Sequence, residues 1–286
     1  MDFLNNTIYI KVKDHSVSKE NFELLLDEEL QLLKTTPQPG PEKLPSYYES
    51  DDYISHTDGK RSLFEKVYHI IKRKAIRDKV KLITSFQSEK GSLLDIGAGT
   101  GDFLLEAKNQ GWNTIGIEPS EKAKNSAIGK GIDFADNLEQ LDNNSFDVIT
   151  MWHVLEHVPD LENQIATLKR LLKKNGTIII AVPNYKSYDA KYYGEFWAAY
   201  DVPRHLWHFS KVAIEKLFAR QNIRLIKIKP MLFDSFYVSL LSEKYKNGKM
   251  SFIKGFWIGL LSNWKAKQNF EYSSHIYILK NEEKSN

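Results

Sequence analysis

The chain has 286 residues, 42% of them hydrophobic and 27% charged, with a formal net charge of +3 and no cysteine. This is the composition of a folded globular protein with one large domain, or one domain with appendages. The lack of cysteine excludes structural disulfides and thiolate-bound zinc, and the weak, scattered basic charge gives no reason to expect a nucleic-acid partner.

In chain order, the opening Met1–Asn6 has no basic region followed by an apolar core, and no run of about 18 apolar residues occurs anywhere. Neither a secretory signal nor a membrane span is expected, and the cytoplasm is the expected compartment. Thr7–Val12 alternates like a strand, Phe22–Leu26 offers another, and the prolines of residues 35–41 read as a linker. Residues 1–45 are therefore expected to be a small N-terminal appendage to a main domain at 46–286. Tyr47–Asp58 crowds aromatic and acidic residues: either a segment folding over a cationic ligand, with tyrosine hydroxyls such as that of Tyr53 reaching it, or a solvated acidic turn. Residues 62–86 carry Leu63, Val67, Ile70, Ile76, Val80 and Ile83 at helical spacing.

Strand-like runs then fall near 92–96, 113–117, 131–135, 146–152, 177–182, 223–229 and 274–280, with helical patterns near 101–110, 120–129, 161–173 and 211–221. This alternation predicts an α/β fold, a Rossmann-like parallel sheet with helices on both faces. Gly111 and Gly176 are expected to end helices, and Ser210 to start one. An insertion at about 231–272 holds two amphipathic stretches, Phe233–Leu241 and Phe252–Trp264, interleaved with lysines. A lid over an apolar substrate, a dimer surface, a membrane-surface helix and helices simply packed on the domain are all open readings; the oligomeric state is also open.

The richest stretch is Leu93-Leu94-Asp95-Ile96-Gly97-Ala98-Gly99-Thr100-Gly101-Asp102, a buried strand, a glycine turn and a helix start. Glu118 follows at the tip of the next apolar run, placed to accept hydrogen bonds from ribose hydroxyls. A nucleotide-containing ligand is the first expectation. The glycines fall as G-x-G-x-G, and Asp102 stands where a dinucleotide fingerprint has Gly or Ala. Carboxylates at Asp95 and Asp102 would repel a pyrophosphate and suit a cation. S-adenosylmethionine, with a sulfonium, an ammonium, a ribose and no phosphate, meets that description better than a nicotinamide cofactor.

The D-x-G-x-G-x-G pattern of Asp95–Gly101 resembles the first motif of class I S-adenosylmethionine-dependent methyltransferases. The Leu155-Glu156-His157-Val158 stretch is similar to the fourth-strand motif of their quinone-biosynthesis type, and Asp201-x-Pro203-Arg204-His205-x-x-His208-Phe209-Ser210 resembles a stretch of the same family. The resemblance covers about residues 45–280 and implies a seven-stranded sheet whose last strand is antiparallel. It implies S-adenosylmethionine as cofactor, bound by Asp95, Gly97, Ala98, Gly99, Gly101, Glu118, Pro119, Trp152 and Tyr53, with Asp136 at the adenine amine. Val17–Glu23 and Thr36-Pro37-Gln38-Pro39 look similar to the leader of bacterial methyltransferases that begin with a zinc ribbon; without cysteines this is either a metal-free remnant or an unrelated hairpin.

Ligands of open α/β sheets sit beyond the carboxyl ends of the strands, which brings forward two clusters. At the end of 146–152, His153 is a candidate general base, and His157 a second candidate that could instead orient the loop. After 177–182, Arg204 could hold an anionic substrate group, and His205 or His208 could take a proton from an attacking hydroxyl. Packed aromatic and backbone-bound histidine roles remain open for this loop. No spacing such as H-E-x-x-H occurs, so no metal is expected. The expected activity is methyl transfer to a small-molecule oxygen; the alternatives are transfer to nitrogen or carbon, or a cofactor-binding protein without turnover.

Overall fold

The computed structural model describes residues 6–48, 63–87 and 89–282, without the side chains of 6 and 63–71. Tyr53, expected at the cofactor, and most of the Tyr47–Asp58 segment lie outside the described residues.

The central sheet has six strands: β4 (Ser92–Ile96), β5 (Asn113–Ile117), β6 (Phe146–Trp152), β7 (Leu172–Pro183), β9 (Ile223–Pro230) and β10 (Ser274–Asn281), in the order β5-β4-β6-β7-β10-β9. The pairs β4–β5, β4–β6 and β6–β7 are parallel, and β10 runs antiparallel to both β7 and β9. Strand residues alternate between two apolar layers, as a sheet covered on both faces requires. Leu93, Val148, Ile179 and Ile278 pack on one side with residues of α1 (Leu63–Thr84), α2 (Asp102–Asn109) and α3 (Glu121–Ile128). Leu94, Ile149, Ile180 and Leu279 pack on the other with α4 (Leu161–Leu171) and α6 (Lys211–Ala219). Ser210 caps α6, its hydroxyl accepting from Ala213 N at 3.0 Å.

Two expectations are corrected. The strand near 131–135 is a single parallel bridge, Gly116 to Phe134, so the sheet has six strands and not seven. At this edge the Phe134 ring lies over Gly116, where a Cβ would stand 2.6 Å from it. Gly176 lies inside β7 and ends no helix, because α4 passes at Leu171 directly into a strand longer than its apolar core. Gly111, at φ 93°, does follow a helix end.

The N-terminal strands β1 (Asn6–Lys13), β2 (Asn21–Asp27) and β3 (Leu32–Thr36) form a second, antiparallel sheet. Its fourth strand, β8 (Trp207–His208), comes from the loop after β7. The expected appendage is thus joined to the rest of the chain by a shared sheet and by an apolar cluster in which Val12, Leu24 and Leu33 meet Tyr193 of α5 (Tyr188–Tyr193), Trp197 and Tyr200. The expected linker begins as part of β3, since Thr35 and Thr36 pair with β2.

The 231–272 insertion folds as two helices, α7 (Asp234–Asn247) and α8 (Phe252–Asn269). Gly255 and Gly259, one turn apart, let α8 lie directly on the α7 backbone, where added Cβ atoms would meet Leu240 Cα at 3.0 Å and Phe236 Cα at 2.9 Å. The other face of α8 leaves Ile253 77% and Trp257 60% exposed, with Phe252, Phe256 and Trp264 beside them. No helix among the described residues is long and apolar enough to cross a membrane.

Candidate active site

The turn after β4 has Gly97, Gly99 and Gly101 all in the left-handed region, at φ 74°, 53° and 74°. Side chains at these dihedrals are strained, which makes glycine the fitting residue. The three glycines also differ in their surroundings. A Cβ on Gly97 would collide with the Val154 side chain, and one on Gly101 would stand 2.7 Å from Ala127, whereas at Gly99 nothing lies within 4 Å. Two of the glycines therefore serve packing and the middle one faces open space.

The turn is tied to the end of β5. Ile117 O accepts from Gly97 N and Ala98 N at 2.8 and 3.0 Å, and the Glu118 carboxylate accepts from Gly99 N at 2.8 Å and Ser120 N at 2.9 Å. Pro119 is exposed beside it. Asp95 is 2% exposed and accepts from the Thr150 hydroxyl at 2.6 Å. Burial pushes its carboxyl up to about 7, against the Thr150 hydrogen bond and the Lys79 charge. The negative charge expected from Asp102 is used elsewhere: Lys72 and Lys130 hold it at 2.7 and 2.5 Å.

Beyond β6, Trp152 packs edge-on to Phe103 at 5.6 Å and lies under the Lys79 ammonium at 4.2 Å, while its buried indole N–H has no partner among the described residues. His153 turns the chain at φ 57° and donates its N–H to Ala181 O at 2.9 Å. Its ring lies between two carboxylates, with Nε2 3.1 Å from Asp234 and Nδ1 3.4 Å from Glu156. Burial disfavours the imidazolium, but Asp234 and then Glu156 outweigh it and push the group up to about 10. A ring so held is a charged partner of carboxylates, which departs from the free base expected from the sequence.

The loop after β7 departs further. The Arg204 side chain is 4% exposed, and its guanidinium donates to Asp201, Asp14, Ser16 and the Tyr47 carbonyl. It clamps the N-terminal hairpin to the loop and has no free face for a substrate anion. His208 is buried, with Nε2 3.1 Å from the Thr35 hydroxyl, which itself donates to His205 O at 2.6 Å. Burial, then the neighbouring His205, hold it well below the usual histidine range. Neither residue reaches open space as the sequence reading required.

His157 and His205 approach each other, ring centroids 4.6 Å apart, above Glu156. His157 Nδ1 lies 2.9 Å from Arg204 O and 3.1 Å from the Tyr48 hydroxyl; His205 Nδ1 lies 2.9 Å from Ala199 O. Burial, then His157, lower His205 to about 4, so it is neutral near pH 7. Asp136, expected at adenine, is 76% exposed and paired with Lys124 at 2.9 Å.

The strand ends thus gather Asp95, Gly97, Ala98, Gly99, Gly101, Glu118, Trp152 and His153, with His157 in the 3-10 turn after β6 and His205 in the loop after β7. Three contributors escaped sequence reading. Glu156 stood in a quoted motif without a role, Asp234 had only its place at the head of an insertion helix as a signal, and Lys79 looked like any solvated helix lysine.

The family whose description is methyltransferase domain matches residues 68–228. The ubiquinone biosynthesis O-methyltransferase of Rickettsia typhi is 28% identical over 200 residues, 63% of this chain and 80% of that protein. The protein of the same name in Pasteurella multocida is 33% identical over 111 residues, 32% of this chain and 46% of that relative. Among solved structures, Haemonchus contortus phosphoethanolamine N-methyltransferase 2 superposes with a TM-score of 0.53 at 16% identity, covering 98% of this chain and 69% of its own. Magnesium protoporphyrin IX methyltransferase from Synechocystis gives 0.52 at 14% identity, over 84% of this chain and 93% of that one. At such identities the superpositions speak for the fold alone.

Proposed function

This chain belongs to the methyltransferase-domain family, and from that membership we propose that it transfers the methyl group of S-adenosylmethionine to an oxygen of a small molecule. The Gly97–Gly101 turn carries the reading: its middle glycine faces open space while Glu118 ties it to the next strand. The residues present fit the cofactor. Asp95 and Glu118 offer carboxylates for an ammonium and a ribose, and Trp152 offers a buried indole N–H that has no partner among the described residues.

When bound, S-adenosylmethionine supplies a methyl group already activated by its sulfonium. In this reading the glycine turn and Ala98 admit its nucleoside close to the backbone, Glu118 accepts from the ribose hydroxyls and Asp95 holds the ammonium. Trp152 and Pro119 flank it, and Asp136 is the candidate for the adenine amine. The protein's remaining tasks are to align the acceptor, exclude water and take a proton from its hydroxyl. Glu156, His157 and His205, beside the carboxyl end of β6, are the groups that support the last task. The O-methyltransferase names of the Rickettsia and Pasteurella relatives support oxygen as the acceptor atom.

The exposed aromatic face of α8 supports an acceptor with a large apolar part, met at a membrane surface. We take residues 46–286 as the unit that performs the transfer, with 1–45 bracing the loop that carries His205.

Calorimetry with S-adenosylmethionine, followed by labelled methyl transfer to hydroxylated and aminated aromatic acceptors, tests the reading. Binding with label in the hydroxylated compounds is expected. Absence of binding at millimolar cofactor overturns the proposal, and label only in amines overturns its choice of oxygen.

A further inference from the structure

Lys79 differs from the other lysines of α1. It stands next to Val80 and one turn before Ile83, both fully buried against the sheet, whereas Lys74 and Lys81 are exposed. A lysine on the inner face of a helix must lead its charge somewhere. Here the stem carries the ammonium to the carboxyl end of β6, 4.2 Å from the centre of the Trp152 ring.

The ammonium makes neither a hydrogen bond nor an ion pair among the described residues, and burial lowers its pKa. An ammonium has three donors and no acceptor, and leaving them unused in a half-buried place is costly. Asp95 and Asp234 are the charges that face it, and both are engaged elsewhere. Asp95 accepts from the Thr150 hydroxyl at 2.6 Å, and Asp234 lies 3.1 Å from His153 Nε2. The Trp152 indole N–H is a second buried donor, also without a partner among the described residues. Two unused donors on one aromatic ring, at the strand end where ligands of open α/β sheets sit, ask for an anion.

We propose that Lys79 anchors the α-carboxylate of the cofactor's methionine part, while Asp95 takes its α-ammonium. An amino acid carries these opposite charges on substituents of one carbon. Its recognition needs one cation and one anion that face the same space without neutralising each other. Lys79 and Asp95 feel each other's charge yet close no ion pair, which is that arrangement. The hydrogen bonds from an ammonium to a carboxylate are charge-assisted and stronger than neutral ones. The assignment rests on the reading of the Gly97–Gly101 turn as a site for S-adenosylmethionine.

Calorimetry on the full chain tests it with three ligands: S-adenosylmethionine, its decarboxylated form, and methylthioadenosine, which lacks the whole amino-acid part. Wild type should prefer the carboxylated cofactor roughly 10–100-fold, the contribution of a hydrogen bond between charged groups. Lys79→Met should abolish that preference and leave methylthioadenosine affinity unchanged, and Lys79→Arg should restore part of it. Circular dichroism and the thermal midpoint of Lys79→Met should match wild type, because no hydrogen-bond partner is stranded. If that variant does not fold, wild type and Lys79→Arg decide, and equal affinity of wild type for the two cofactor forms overturns the anchor. A preference retained in folded Lys79→Met, or an equal loss for methylthioadenosine, overturns it as well. So does a retained preference joined to lost discrimination between a hydroxybenzoate and the matching phenol, which assigns the lysine to a carboxylate of the acceptor. Binding without preference refutes only the anchor, whereas no binding of either cofactor form by wild type refutes the methyl-transfer reading beneath it.

Discussion

Replacing Arg204 by Met separates a structural clamp from a substrate-binding arginine. The guanidinium donates to both oxygens of Asp201 at 2.6–3.1 Å, to Asp14 at 3.2 Å, to the Ser16 hydroxyl at 2.5 Å and to Tyr47 O at 2.9 Å. Methionine keeps the length and strands the carboxylates. Removing one partner of a buried ion pair costs about 3–5 kcal/mol. The lower end applies here, because Asp14 also accepts from Ser16 N, Val17 N and Ser18 N at 2.7–3.2 Å. At roughly 2–4 °C per kcal/mol for a chain of this size, the midpoint should fall by about 6–12 °C. Thermal unfolding followed by circular dichroism measures it, and the double variant with Asp14→Asn should lose less than the sum of the singles. Burial opposes the charge on Asp14, but the Ser18 and Ser16 N–H groups and Arg204 outweigh it and hold the carboxyl well below the usual range. Its contribution is therefore complete above the ordinary carboxylate pKa of about 4 and disappears only in strong acid, as pH falls through the lowered value. The gap between wild type and Asp14→Asn should be full at pH 7 and close only in strong acid. A loss under about 1 kcal/mol for Arg204→Met, together with weakened acceptor binding, would refute the clamp and return Arg204 to the substrate.

Gly97→Ala should destabilise the fold more than Gly99→Ala, since only the first meets a neighbour, Val154; Gly99→Ala should act mainly on cofactor affinity. Thermal scans and calorimetry on both variants check this, and equal midpoints would contradict the division of roles. Asp95, raised to about 7, is charged only as pH rises through that value, so affinity for a cationic cofactor should increase about tenfold from pH 6 to 8. Asp95→Asn should flatten that slope; it should also stabilise the ligand-free chain at pH 8, where a buried charge is removed. Glu118→Ala should weaken the cofactor by about 1–3 kcal/mol, leaving Gly99 N and Ser120 N without their acceptor, and unchanged affinity would argue against the ribose role. Trp257→Ser with Ile253→Ser should reduce sedimentation with anionic lipid vesicles without moving the midpoint, because both side chains are more than half exposed.

The cofactor half was legible in the residues because its signals are local. A glycine turn demands left-handed dihedrals, a buried parallel strand demands a continuous apolar run, and Ser210 caps the helix that begins next to it. These are properties of a few neighbouring residues, and the structure keeps them at Gly97–Gly101, β4–β7 and α6. The 131–135 segment fails because a strand needs a partner ladder, and at Gly116 only one bridge forms.

Only the tertiary structure decided the fate of the charged and histidine residues. Arg204 reads as an exposed anion binder until Asp14, 190 positions away, closes over it. His208 reads as a base until Thr35 buries it in a shared sheet. His153 gains its charge from Asp234 on an insertion helix, and Glu156 meets His205 only because Leu206 ties the loop to the end of β6. Backbone form follows from side-chain size and dihedral freedom within a few residues. Protonation and ligand reach depend on which distant groups exclude water from a side chain, and folding alone determines those neighbours.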